Sequence, residues 1–333
     1  MNASTPSIVC FGEALIDFLA NEPVAGQART FSQFAGGAPA NAAVAVAKLG
    51  GHCEFVGMLG RDMFGDFLLH SLHQAGAGVG YVRRTAAAKT ALAFVSLDGN
   101  GERSFSFYRP PAADLLFRES DFDDACFART GIFHVCSNSL TEPGIAATTL
   151  AGMARARATG ALVSIDLNLR PTLWPDAAPA LPMLWQALEA ADLVKLTREE
   201  LEHLLEGRHA DRDLLVRLLR SARLVLITDG EAPMRWYTRT RHGQLPTIPV
   251  QAVDTTAAGD AFIGGLLFQF QRNRIDAAAF DAFLADPAKL ERSLRYASAC
   301  GALTVTRHGA FAALPTHAEA VTLLEVATAE ASW

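Results

Sequence analysis

Several nucleotide-handling signatures are missing from this chain of 333 residues. There is no Gly-x-x-x-x-Gly-Lys-Ser/Thr loop, and no strand-borne Gly-x-Gly-x-x-Gly, so neither a P-loop ATPase nor a dinucleotide enzyme is indicated. Cysteine is sparse. Cys10, Cys53, Cys126, Cys136 and Cys300 include no Cys-x-x-Cys pair, and an odd, scattered set reads as reduced thiols packed as small hydrophobes rather than disulfides or a zinc site. The nine histidines show no metal-ligand spacing, and His203, His209 and His242 read as surface residues. No basic block appears, and the net charge is −6, so no nucleic-acid partner is expected. Met1 to Ser7 lacks the cationic start and apolar core of a signal peptide. The Ala-rich stretch Ala38–Leu49 is too short for a membrane span and carries Lys48. A cytoplasmic protein with no membrane partner is expected.

What is present is a half-hydrophobic chain with 19 % charged residues, in which strand-length apolar runs alternate with helical patterns. Ile8–Gly12, Phe55–Met58, Gly131–Ser137, Ala161–Asp166, Leu193–Leu196 and Leu224–Thr228 read as buried strands. Candidate helices lie at Asn41–Leu49, Phe64–Ala75, Gly144–Thr159, Pro182–Ala190, Arg198–Leu205, Asp211–Ser221, Ala258–Arg272 and Lys289–Thr304. Such alternation predicts an α/β fold with a mostly parallel sheet covered on both faces. Ligands of such sheets collect beyond the carboxyl ends of the strands. Two stretches break the rhythm: Asp17–Phe34, and Thr90–Tyr108, which reads as a hairpin around Asp98-Gly99-Asn100-Gly101. They predict a small sheet inserted as a lid, at about 17–34 and 90–109, in one domain spanning 1–333.

The densest signal is Val253-Asp254-Thr255-Thr256-Ala257-Ala258-Gly259-Asp260-Ala261-Phe262. Small residues admit close approach of a ligand, and the helix that starts there presents unpaired N–H groups that attract anions. A carboxylate beside a bound phosphate makes chemical sense if Asp260 takes a proton from an attacking hydroxyl while the amides of Ala257, Ala258 and Gly259 stabilise the phosphoryl group. The plainer alternative is an Asp that caps a helix.

This segment resembles the C-terminal signature of the PfkB, or ribokinase-like, sugar-kinase family. A second one, Gly36-Gly37-Ala38-Pro39-Ala40-Asn41 with Val56-Gly57-Met58-Leu59-Gly60-Arg61-Asp62 and Phe64-Gly65 behind it, resembles the N-terminal signature. Gly101-Glu102-Arg103-Ser104-Phe105-Ser106-Phe107-Tyr108-Arg109 is similar to the bacterial fructokinase branch.

The resemblance implies a three-layer α/β/α kinase that uses ATP and Mg2+, sometimes with K+. Asp17, Gly36, Gly37, Asn41, Phe107, Arg109 and Asn168 would face the sugar. Arg170, Lys195, Thr228, Gly230 and Gly259 would lie on the nucleotide side. Glu200 would help hold magnesium, through water, although Thr197 stands where relatives carry Asn. Asp254 and Thr256, with Arg307–Phe311, resemble a potassium loop. Pro233 replaces a family glycine near the adenine side. Asn168 and Arg170 alternate to one side if their segment is extended.

Each of these has a plainer reading. Gly36-Gly37 is a turn, Asn41 belongs to a helix's first turn, Arg109 is a solvated hairpin residue, Thr197–Glu200 is a capping box, and Asp254 closes a structural turn. The lid implies a homodimer clasp as well as a cover. Fructose is the expected acceptor. 2-Keto-3-deoxygluconate, ribose, nucleosides or aminoimidazole riboside are alternatives, and a sugar-binding regulator on the same fold is the non-enzyme one.

Overall fold

The computed structural model describes residues 7–21, 26–97, 103–174, 177–205 and 211–330. The Asp98–Gly101 turn, the side chains of Arg103 and Phe105, and His209 lie outside what is described. The chain opens with β1 (Ser7–Phe11), then runs through β2 (Leu15–Ala20) and β3 (Phe31–Gly36) to helix α1 (Ala38–Lys48). Strand β4 (Cys53–Val56) returns beside β1; β5 (Met58–Gly60), α2 (Met63–Gln74) and β6 (Arg83–Thr85) follow. The hairpin of β7 (Leu92–Leu97) and β8 (Arg103–Tyr108) precedes α3 (Asp124–Ala128).

Strand and helix then alternate: β9 (Thr130–Cys136), α4 (Pro143–Ala158), β10 (Leu162–Asp166), α5 (Ala177–Glu189) and β11 (Leu193–Thr197). Next come α6 (Arg198–Leu204), α7 (Asp211–Ser221) and β12 (Leu224–Asp229). β13 (Ala232–Tyr237) and β14 (His242–Leu245) precede α8 (Ala258–Arg272), α9 (Phe280–Leu284), α10 (Pro287–Val305) and α11 (His317–Glu330).

The main sheet has the order β14-β13-β12-β11-β10-β9-β1-β4. It is parallel from β12 to β4, with β13 and β14 antiparallel at one edge. Successive residues of each central strand serve opposite cores. Ile8, Cys10, Ile132, Leu162, Leu193 and Leu224 pack against α1, α2, α8 and α10. Val9, Phe11, Phe133, Val135, Val163, Ile165, Val194 and Val225 pack against the helices of the other face, α3 to α7. Burial on both faces is what turns these strands into continuous apolar runs.

Four short strands, ordered β3-β2-β7-β8, form the second sheet. Its cross-strand register puts Asp17, Ala93 and Phe107 in one row, with Phe34 opposite Asp17. The next row holds Phe18 and Phe94. Because side chains alternate along a strand, one face carries Asp17 and Phe107 and the other is aromatic.

The structure departs from the sequence reading in places. Phe55–Met58 is not one strand: after Gly57 the chain leaves the main sheet, and β5 pairs with β6 instead. The helix expected from Pro182 starts at Ala177 and keeps Pro182 inside it. β13 and β14 lack continuous apolar runs because they form the antiparallel margin of the sheet, where β13 is buried only at Met234 and Trp236 and the edge strand β14 only at Leu245. The short α3 and α9, and α11, were likewise not expected from pattern.

Candidate active site

Polar residues interrupt one apolar face of the sheet at the carboxyl ends of adjacent strands. On the face that carries Ile132, Leu162 and Leu193 the next positions are His134 and Ser164, and then Cys136, Asp166 and Lys195. Register sets Cys136, Asp166 and Lys195 side by side. Lys195 Nζ donates to both oxygens of Asp166, at 2.9 and 2.7 Å, and is 2 % exposed. Burial opposes the charge on Lys195, but Asp166 and Glu200 outweigh it and hold the ammonium above its ordinary pKa.

The N-terminus of α8 lies above this pair. Gly259 is the second residue of that helix, and a Cβ there would stand 3.1 Å from Lys195 Nζ, so any side chain would have to push the cation aside by a few tenths of an ångström. Ala257 enters the helix with a left-handed backbone, φ 61°. Asn168 is also left-handed, φ 43°. Backbone strain in two non-glycine residues of one site is characteristic of functional geometry. The amides of this first helical turn have no preceding helical carbonyls to bond.

Asp260 does not cap the helix. It is the third residue of α8, 7 % exposed, with Oδ2 accepting from Asn41 Nδ2 at 2.7 Å and Oδ1 from Asn168 Nδ2 at 3.4 Å. Asn41 sits one turn into α1, which packs closely on α8: a Cβ on Gly264 would reach 2.6 Å from the Cβ of Ala45. The alanines of α1 thus permit the approach that brings Asn41 to Asp260. Burial pushes the Asp260 carboxyl up to about 7. The Asn41 bond opposes that shift, Asp166 reinforces it, and Lys195 and Arg170 oppose it. A carboxyl poised near neutrality is suited to taking a proton.

The remaining residues sort as follows. Asp17, half-buried, lays its carboxylate against Gly36. Gly37 has φ 104°, and a Cβ there would meet the Glu13 carbonyl oxygen at 2.6 Å. Phe107 shares the row of Asp17 and packs on the core of α3 to α7. Arg170 is half-buried and donates to the Leu169 carbonyl at 3.1 Å. Asn168 and Arg170 do converge near Asp260, through a left-handed bend and not the extended segment expected. Thr228 lies opposite Thr197 at the sheet's carboxyl edge, and Gly230 turns the chain just after it with open space around it.

Four residues take places other than those expected. Arg109 is 1 % exposed, not a solvated hairpin side chain. Its Nε and Nη2 donate to Asp114 Oδ2 at 2.9 and 2.6 Å, and its Nη1 to Thr141 Oγ1 at 3.3 Å. Lys195 is likewise committed to Asp166 beneath the loop and does not present an open cation to a nucleotide. The Glu200 oxygens accept backbone N–H groups of Leu169 at 2.6 Å and Thr197 at 2.7 Å, while Thr197 Oγ1 accepts from Glu200 N at 3.2 Å. That is the capping box, and it pins the segment that carries Asn168. Asn41, expected at the sugar, bonds the carboxylate of Asp260.

Asp254 accepts from Thr256 N at 2.8 Å and Gly309 N at 3.0 Å, joining the loop before α8 to the loop after α10. Among the described residues no group of three or more His, Cys, Asp or Glu side chains is placed to hold a metal ion. Asp166, Asp114 and Glu13 are the partners that sequence reasoning missed. The polar residues ending one face of β9, β10 and β11 were the available signal for the first.

A family model for pfkB family carbohydrate kinases matches residues 5–317. The chain belongs to that family. Relatives share nearly the whole length of this PfkB kinase. Fructokinase-1 of Zea mays is 42 % identical over 98 % of this chain and 100 % of its own. Among solved structures, a fructokinase from Xylella fastidiosa with bound ATP superposes with a TM-score of 0.93 at 53 % identity, covering 97 % of this chain and 99 % of that one. A double-mutant fructokinase from Vibrio cholerae O395, with fructose, ADP and potassium ion bound, gives 0.86 at 30 % identity, covering 97 % and 100 %. The three-layer architecture expected from the two signatures is therefore the fold that this PfkB kinase has.

Proposed function

We propose that this kinase transfers the γ-phosphate of ATP to the primary hydroxyl on C6 of fructose, giving fructose 6-phosphate and ADP, with Asp260 as general base. The carrying observation is Asp260 itself: buried, held by Asn41 and Asn168, brought near neutrality, and set in the first turn of α8 beside Ala257, Ala258 and Gly259. Asp260 takes the hydroxyl proton as that oxygen attacks the γ-phosphorus. The amides of residues 257–260 and the positive end of α8 stabilise the charge on the transferring group. Asp17, with Gly36 and Gly37 behind it, is suited to accept hydrogen bonds from neighbouring sugar hydroxyls, and Phe107 and the small sheet exclude water.

Magnesium fits this site as a companion of the nucleotide and not as a resident of the protein. Asp166 is occupied by Lys195, and Glu200 by two backbone N–H groups, so the phosphates and water would supply most of its shell. When bound, it neutralises charge between the β- and γ-phosphates. Arg170 is the half-buried cation available to the phosphates, while Lys195 acts from beneath Gly259. Thr228 and Gly230 border the nucleotide. The Asp254–Gly309 junction, with Thr256, is suited to a potassium ion that would stiffen the loop carrying residues 257–260. We place the chain, acting as one kinase domain with the small sheet as lid, in the cytoplasm. No described helix is long and apolar enough to cross a membrane.

The test is ADP release with ATP and magnesium over fructose, ribose, 2-keto-3-deoxygluconate, adenosine and aminoimidazole riboside, with Asp260→Asn beside the wild type. Turnover on fructose that the substitution abolishes supports the reading. Turnover on another acceptor moves the specificity and keeps the chemistry.

A further inference from the structure

Helix α1 has no side-chain cap of its own. Its N-cap residue is Gly37, no acidic residue stands in its first turn, and Pro39 follows the first helical position. A helix start without a cap leaves donors and a positive end unanswered. Here the answer comes from 25 residues upstream: Glu13 Oε1 accepts from Ala38 N at 3.3 Å. The same oxygen accepts from Asn138 Nδ2 at 2.9 Å, and the Cys136 thiol lies 3.6 and 3.5 Å from the two carboxylate oxygens. Glu13 is 1 % exposed, at the joint where β1 leaves the main sheet for β2.

Gly37 rests on the backbone of residues 13 and 14, close enough that a Cβ would stand 2.6 Å from the Glu13 carbonyl oxygen and 2.8 Å from Ala14 Cα. The Gly37 carbonyl in turn accepts the N–H of Asn41 at 2.8 Å. Backbone and side chain of Glu13 therefore fix where α1 begins, and Asn41 stands one turn further on, bonded to Asp260.

We propose that Glu13 is a positioning residue of the phosphoryl-transfer site: by fixing the first turn of α1 it holds the Asn41 amide against the Asp260 carboxylate. The inference rests on Asp260 being the base. It assigns Glu13 a mechanical role, carried by reach and not by charge. The charges that act on Asp260 are those of Asp166, Lys195 and Arg170, with the Cys136 thiol also close enough to sense it. Those facing Glu13 are Arg109 and, beyond it, Asp114.

Two conservative substitutions separate reach from charge. Glu13→Gln keeps an oxygen at the distance of Ala38 N and Asn138 Nδ2 but removes the charge. Glu13→Asp keeps the charge but is one methylene too short. The measurement is the pH profile of kcat/KM, with kcat, melting temperature, and Asp260→Asn as the control.

We expect Glu13→Asp to lower kcat on the order of tenfold or more, the effect of a misplaced catalytic group. Its acid limb should move up by about half a pH unit or more, because the Asn41 bond favours the charged form of Asp260. Glu13→Gln should keep the wild-type limb and retain kcat within about threefold, a change of well under 1 kcal/mol in barrier.

A Glu13→Asp enzyme with a lower melting temperature but an unchanged limb and kcat would make Glu13 merely structural and overturn the inference. So would a Gln variant whose limb moves as far as that of the Asp variant, since charge would then be the carrier. If Asp260→Asn is as active as wild type, the base assignment itself has failed, an outcome legible whatever the Glu13 variants do.

Discussion

At the scale of single residues, the site is built around one titratable carboxyl. Burial raises Asp260 to about 7 and the Asn41 bond moderates it, so the proposed base gains its charge as pH rises through that value. The acid limb of kcat/KM should therefore fall near pH 7, and Asp260→Asn should cost about 10²–10⁴-fold at the plateau. The same shift has a stability signature. A carboxyl whose folded pKa lies above its unfolded value of 3.8 binds more protons in the folded state between those two values, so stability declines as pH rises through that window. The loss is complete above about 7 and amounts to a few kcal/mol at most for a group so placed. Asp260→Asn removes the titration while keeping an acceptor for Asn41. In thermal melts the variant should match the wild type near pH 4 and be the more stable at pH 8. A constant difference across pH would show that the folded and unfolded states of Asp260 titrate alike, so that burial does not raise its carboxyl.

At the scale of elements, what the sequence made legible was whatever a local period or end signal carries. The helix starting at Ala258 and the boundaries of α7 are read directly, because their apolar spacing and their flanking residues agree. The partners of the site were not legible in the same way. That Lys195 meets Asp166 and that Asn41 meets Asp260 depends on register between strands or on how closely two helices pack, and neither is a local property. Arg109 and Asp114 are only five residues apart, but no spacing signal marks that pair as buried. The Thr197–Glu200 pair shows how one motif supports two readings until its bonds are seen.

As the cap of α6, Thr197→Ala should destabilise the protein by about 1 kcal/mol in denaturant melts. The magnesium concentration giving half-maximal velocity should stay unchanged. Glu200→Gln is more disruptive, because its amide must face one of two backbone N–H groups, at a cost of about 1–3 kcal/mol. Since one of those groups belongs to Leu169, next to Asn168, kcat should fall as well. A Thr197→Ala enzyme with a large rise in magnesium requirement would restore the metal reading of this element.

At the scale of the whole molecule, the small sheet has two faces with different chemistry. Phe34, from the face bearing Asp17 and Phe107, lies against Gly309, next to the loop that Asp254 ties down, and we propose that this face turns to the site. On the other face Phe94 stacks on Phe18 at 5.2 Å between ring centroids and meets Phe31 and Tyr108 edge-on at 5.5 and 5.3 Å. Tyr108 is 66 % and Phe31 40 % exposed. Phe18 is covered from within the chain by Phe64 of α2, while Phe31 and Tyr108 remain open to solvent, and exposed aromatic surface of this kind suits association. A second copy of the same sheet, related by a two-fold axis, would cover it with the same residues.

We infer a homodimer that clasps through this face and braces each lid over its own site. Sedimentation equilibrium should give twice the chain mass of 35.6 kDa. Tyr108→Glu together with Phe31→Glu should yield monomers, because opposed carboxylates would be buried without partners. If the lid depends on the clasp, the monomeric variant should show a raised KM for the sugar and measurable ATP hydrolysis without acceptor, since water would reach the phosphate. A wild-type chain that sediments as a monomer while fully active would instead make the aromatic face a feature of the lid's own packing.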